Sequence, residues 1–141
     1  IVKPELLFSE VVVEDYDALA IPGGFETAGY YKDAFDPRVQ TLIQQFHSEG
    51  KIVASICVGA LPVAKTGILK GKKATTYDLP EGNRKEQLAS YGADVQDQEI
   101  VVDDRIITSI GPSTALGVAF KLLEMLTSIE NVDEVKKYMR F

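Results

Sequence analysis

Ile52-Val53-Ala54-Ser55-Ile56 is a nearly unbroken apolar run, and the only cysteine of the chain, Cys57, follows it directly. A strand with one wet face alternates apolar and polar residues. An unbroken run instead fits a strand covered on both faces, as in a parallel sheet packed between helices. Val58 to Ile68 then reads as a helix stopped near Gly67. The cysteine therefore stands on the turn between a buried strand and a helix.

The rest of the chain agrees with that frame. Val11-Val12-Val13 and Ala18-Leu19-Ala20-Ile21 read as short strands, the second closed by Pro22-Gly23-Gly24. Pro37 opens a helix with Val39, Leu42, Ile43 and Phe46 on one face, ended by Gly50. Ala74-Thr75-Thr76-Tyr77 is a strand candidate, and Arg84 to Tyr91 a short helix ending at Gly92. Val95, Ile100-Val101-Val102 and Ile106-Ile107-Thr108 read as short strands, with Asp103-Asp104 as the tight turn between the last two. Gly111-Pro112-Ser113-Thr114 opens a helix over Ala115 to Leu126, with Ser113 or Gly111 near its cap. Asn131 caps a final helix to Tyr138, with Val132, Val135 and Met139 inward.

Strands alternating with helices predict one α/β layered domain with a mainly parallel sheet. Ligands on such sheets gather at the carboxyl ends of the strands. Three loops leave strands there: Pro22-Gly23-Gly24, Cys57-Val58-Gly59 and Gly111-Pro112-Ser113-Thr114.

Charge narrows the partners. A net charge of −6 argues against nucleic acid, which demands clustered Lys and Arg. The basic stretch Lys70-Gly71-Lys72-Lys73 fits a solvated turn between a helix and a strand. No apolar run approaches the roughly 20 residues that span a bilayer, so no membrane partner is expected. Ile1-Val2-Lys3-Pro4-Glu5 lacks the layout of a leader peptide. A lone thiol fits a reducing compartment, and the cytoplasm is the expected location.

A side chain between a buried strand and a helix is held at the sheet edge, near free N–H groups that favour negative charge. The Cys57 thiol is therefore expected below the usual value of about 8.5. The geometry matches a nucleophile elbow, whose following N–H, that of Val58, can hold an oxyanion. Gly23 and Gly24 can bring further backbone N–H groups close. The plain alternative is that Cys57 is a small buried hydrophobe.

Asp17 to Gly24, Val53 to Ala60 and Leu69 to Thr76 resemble the glycine loop, nucleophile elbow and following strand of the ThiJ/PfpI family. Val102 to Ser109 and Gly111 to Ala115 are similar to its closing hairpin and last-helix entry. The resemblance implies a flavodoxin-like three-layer sandwich of the class I glutamine amidotransferase-like superfamily, usually a homodimer. It also implies a strand, helix and strand ahead of Ile1, with a glutamate that hydrogen-bonds the cysteine. Members include cysteine hydrolases, glyoxalase- or deglycase-type enzymes acting on α-oxoaldehyde adducts, chaperones and oxidative-stress sensors. Carried over, Cys57 is the nucleophile or sensor, and Gly23, Gly24 and Val58 form the backbone anion site. No cofactor is implied.

The pattern departs in three places, the first being that the family's N-terminal strand, helix and strand, with the glutamate, have no equivalent in this sequence. Branches with a Cys–His pair place histidine where this chain has Val58 or Tyr77, and His47 sits toward the opposite end of the cysteine strand, so Cys–His proteolysis is not expected. Ile110 stands where relatives often carry arginine, which weakens an anion pocket. Among weaker candidates, Glu26 can reach toward the cysteine as an acid or base, Tyr77 can line the pocket, and Ser113 and Thr114 can donate to an anion. Helix-end charge, packing and capping are their simpler readings. No His, Cys and carboxylate spacing suits a metal. The expected function is chemistry on small carbonyl or acyl compounds; a cysteine-oxidation sensor or chaperone, or a silent binding domain, is the alternative.

Overall fold

The computed structural model describes residues 3–141, so Ile1 and Val2 of the stretch read as no leader lie outside the described residues. In chain order the elements are β1 (Ala18–Ile21), α1 (Tyr30–Ala34), α2 (Pro37–Ser48), β2 (Ile52–Ser55), α3 (Ala60–Lys65) and β3 (Lys73–Ala74). Then come α4 (Arg84–Ser90), β4 (Asp94–Val95), β5 (Ile100–Asp103), β6 (Ile106–Ser109), α5 (Ala115–Leu126) and α6 (Ile129–Met139). The main sheet has the order β1-β2-β6-β5. β1, β2 and β6 run parallel, and β5 runs antiparallel to β6. β3 and β4 form a separate parallel pair.

β2 is the centre of this arrangement, and all four of its residues are buried. Ile52 and Ala54 meet Val118, Leu122 and Met125 of α5 on one face. Val53 belongs to the core of the other face with Ile43 and Phe46 of α2 and Leu61 and Val63 of α3. Helices thus cover both sides, the three layers that an unbroken apolar strand requires.

Local chemistry sets most element ends. Asp36 caps α2 by accepting the Arg38 N–H at 2.8 Å, Pro37 follows, and Gly50 leaves the helix at φ +70°. The β5–β6 turn is carried by Asp104 at φ +55° and Arg105, one residue later than expected, since Asp103 still pairs with Ile106.

Several sequence expectations are corrected. Val11 to Val13 form no strand: Val13–Asp15 is a 3-10 turn, and the Lys51 ammonium takes the Val13 and Tyr16 carbonyls. Of the expected Ala74–Tyr77 strand only Ala74 pairs, together with Lys73 before it. Beyond it the Thr75 N–H donates to the Thr108 Oγ1 and the Thr76 hydroxyl to the Cys57 carbonyl, so side chains replace the ladder. Thr114 occupies the cap of α5, with Ser113 beside it, and Gly111 caps the 3-10 turn Pro112–Thr114 that leads in. Ser128 rather than Asn131 caps α6, accepting the Asn131 N–H at 3.2 Å, and Met139 is exposed. α1 had no counterpart in the sequence reading, because five residues after a glycine carry too little periodicity to register.

Candidate functional site

β1 and β2 lie side by side with Ile21 opposite Ser55, so the loops after them leave the sheet together. The Ile56 N–H donates to the Ile21 carbonyl at 3.1 Å, which extends that pairing to the brink of Cys57. Cys57 then turns sharply at φ +62°, a left-handed conformation that a side chain rarely adopts. A 3-10 turn, Cys57–Gly59, leads into α3. Gly59 permits the approach of backbone to backbone: a Cβ there would lie 2.8 Å from the Ile21 carbonyl oxygen and 2.9 Å from that of Pro22. The strained cysteine is held between two strands, two loops and a helix.

The glycine loop is clamped from both sides. A Cβ on Gly24 would lie 2.2 Å from the Tyr30 ring, and the Tyr30 hydroxyl donates to the Pro22 carbonyl at 2.7 Å. Burial, then Tyr31 and Cys57, push the Tyr30 hydroxyl up to about 12. It therefore stays protonated and keeps donating.

A cavity of about 690 Å³ opens above these loops. Its walls include the expected Gly23, Gly24, Cys57, Val58 and Tyr77, with Pro22 and Ile56 beside them, and Pro112 and Ala115 at the start of α5. The three loops converge as their places at the carboxyl ends of β1, β2 and β6 require. Glu26 also lines the cavity, but it is turned away from acid–base work on the cysteine: its Oε2 accepts from Arg84 Nη2 at 2.8 Å. Ser113 and Thr114 do not line it. Ser113 is exposed on a 3-10 turn, and the buried Thr114 hydroxyl donates to the Gly111 carbonyl at 2.6 Å. His47 is partly buried on α2 and Ile110 donates its N–H to the Glu99 carbonyl; neither reaches the cavity.

The thiol itself departs from expectation. Burial pushes the Cys57 thiol up, and the opposing hydrogen bond from the Val58 N–H is the smaller influence. The sequence-based reading weighed the helix N-terminus and not desolvation by the walls. α3 is only six residues long, so its dipole is small. The Val58 N–H is turned to the sulfur.

Sequence reasoning missed Tyr31, Asp78 and Arg84, all of which line the cavity. The Arg84 guanidinium stacks 4.7 Å from the centre of the Tyr31 ring. Asp78 accepts the N–H groups of Leu79 and Lys85 at 3.0 Å each. Arg84 opens α4, and the segment between Tyr77 and that helix carries no periodicity that would mark it as a cavity wall. Among the described residues no three His, Cys, Asp or Glu side chains group so as to hold a metal.

An open parallel sheet between helices, with a thiol on a strained strand-to-helix turn at the carboxyl ends of its strands, defines a class of elbow-cysteine α/β proteins. The chain belongs to the DJ-1/PfpI family, whose model matches residues 1–125. It is 33% identical over 134 residues to a glutathione-independent glyoxalase, DJ-1, of Schizosaccharomyces pombe, covering 94% of this chain and 66% of that protein. It is 33% identical over 112 residues to a deglycase of Pyrococcus horikoshii, covering 79% of this chain and 63% of that protein. The crystal structure of Drosophila melanogaster DJ-1beta superposes with a TM-score of 0.83 at 31% identity, covering 98% of this chain and 71% of that one. The chain thus spans less than two thirds of the length of the two curated enzymes it matches here.

Proposed function

We propose that this chain acts on small carbonyl compounds, in glyoxalase or deglycase fashion, with Cys57 as the nucleophile. The observation that carries the reading is Cys57 itself, presented to the cavity at φ +62° between the two loops that leave β1 and β2. The thiolate adds to the carbonyl carbon, the π electrons move to oxygen, and the oxyanion is received by backbone N–H groups. Gly23 and Gly24 support that role, since neither N–H donates to a backbone carbonyl among the described residues. The printed names of the S. pombe and P. horikoshii relatives support the reaction class.

Because the thiol is pushed up, this reading requires a base that draws its proton. Both carboxylates that line the cavity, Glu26 and Asp78, are engaged elsewhere. The resemblance assigns the task to a glutamate ahead of Ile1. The same resemblance supports a homodimer, and the lone thiol supports a cytoplasmic location. The raised thiol also favours a second reading, a binding domain without turnover, over an oxidation sensor, which needs a low pKa.

Methylglyoxal consumption by the wild-type chain and by Cys57→Ala tests the proposal. Consumption that disappears in the variant supports the enzyme. Equal rates in both would remove Cys57 as the nucleophile, and no consumption in either leaves the binding domain as the reading.

A further inference from the structure

Arg84 is the one cationic side chain that lines the cavity among the described residues. Its guanidinium is mounted rigidly. It lies 4.7 Å over the Tyr31 ring, which itself stacks on Phe35 at 5.9 Å and meets Tyr30 edge-on at 5.5 Å. Nη1 donates to Gln87 Oε1 at 3.2 Å and Nη2 to Glu26 Oε2 at 2.8 Å.

The two partners of that ion pair are unequally held. The Arg84 side chain is 26% exposed, whereas that of Glu26 is 71% exposed. An ion pair with so wet a carboxylate contributes little and exchanges readily. A planar guanidinium is built to take a carboxylate in two parallel hydrogen bonds. Asp78, the other carboxylate in the walls, does not compete for it, because its oxygens accept the Leu79 and Lys85 amides.

We propose that Arg84 forms an anion subsite within the cavity, and that the compounds brought to Cys57 carry a carboxylate, as an oxo acid does. Glu26 is the resident occupant that the incoming carboxylate displaces. The substrate class rests on the reading of Cys57 as the reacting group; the subsite stands on the Arg84 geometry alone.

The test is alkylation of Cys57 in the folded chain by iodoacetate and by iodoacetamide, each rate divided by that of free cysteine with the same reagent. Iodide leaves as the sulfur–carbon bond forms, so no turnover is needed. The wild-type chain is expected to favour iodoacetate about tenfold, the scale of one charged hydrogen bond. Arg84→Gln removes the preference, Glu26→Gln enlarges it, and Arg84→Lys, which keeps the charge without the fork, falls between. Equal normalised rates in the wild type and Arg84→Gln would overturn the subsite. If neither reagent reacts, the nucleophile reading fails separately. Pyruvate titration of Cys57→Ala, followed by NMR, then decides the subsite: binding that weakens about tenfold on adding Arg84→Gln supports it, and unchanged or absent binding refutes it.

Discussion

Gly23 and Cys57 touch: a Cβ on Gly23 would lie 2.7 Å from the Cys57 Cβ and 3.1 Å from its Sγ. The Ile56 carbonyl oxygen, also 3.1 Å away, closes the remaining space. The glycine loop after β1 therefore fixes where the thiol stands, although the two residues follow different strands. Gly23→Ala is expected to push Cys57 from its place, slowing its alkylation at least about tenfold and costing about 1–3 kcal/mol of stability. Iodoacetamide kinetics and chemical denaturation on the same variant check both; an unchanged alkylation rate would show that the loop yields instead.

The elbow stores strain. Cys57 at φ +62° is the condition that glycine meets without cost, while alanine keeps the penalty. Cys57→Gly is therefore expected to be more stable than Cys57→Ala by about 1 kcal/mol in urea unfolding. The opposite order would mean that the Cβ contact with Gly23 outweighs the backbone.

Burial of the thiol sets a pH dependence. A folded-state pKa above the unfolded value means the folded chain holds the proton more tightly. The associated stability is fully present below the ordinary thiol range near about 8.5 and is lost as pH rises through the raised value. The midpoint of Cys57 alkylation against pH is expected above about 8.5, and Cys57→Ala should lose that part of the stability profile. A midpoint below the ordinary range would show that another group holds the thiolate.

Tyr30 ties the loop down through its hydroxyl, which donates to the Pro22 carbonyl at 2.7 Å. Tyr30→Phe removes that bond and keeps the ring over Gly24. A loss of about 1 kcal/mol is expected by thermal melting. Hydrogen exchange at Gly23 and Gly24 should quicken in the variant while α5 stays protected.

Thr75 is fully buried and its Oγ1 has no hydrogen-bond partner, whereas its N–H is taken by Thr108. Thr75→Val keeps the shape and the backbone bond and removes the orphan hydroxyl. The variant is expected to be more stable by about 1 kcal/mol in denaturant titration. A destabilised variant would point to an internal water bound to that hydroxyl.

The sequence by itself determined the sandwich and the position of the cysteine. The apolar run of β2 dictates cover on both faces, and Asp36-Pro37 and Gly50 bound α2 through their own backbone chemistry. The strand–Cys–Val–Gly junction and Pro22-Gly23-Gly24 marked the sheet edge where the cavity opens. These signals are local, written within a few residues of the feature they produce. Only the tertiary structure decided the direction in which the thiol is shifted, because desolvation comes from walls contributed by segments far apart in the chain. It alone turned Glu26 to Arg84, 58 residues away, and brought Tyr31 beneath that guanidinium. It also spent Thr114 on Gly111 and set Thr75 without a partner. Pairings across such distances depend on which side chains the folded sheet brings together, and spacing along the chain does not encode that.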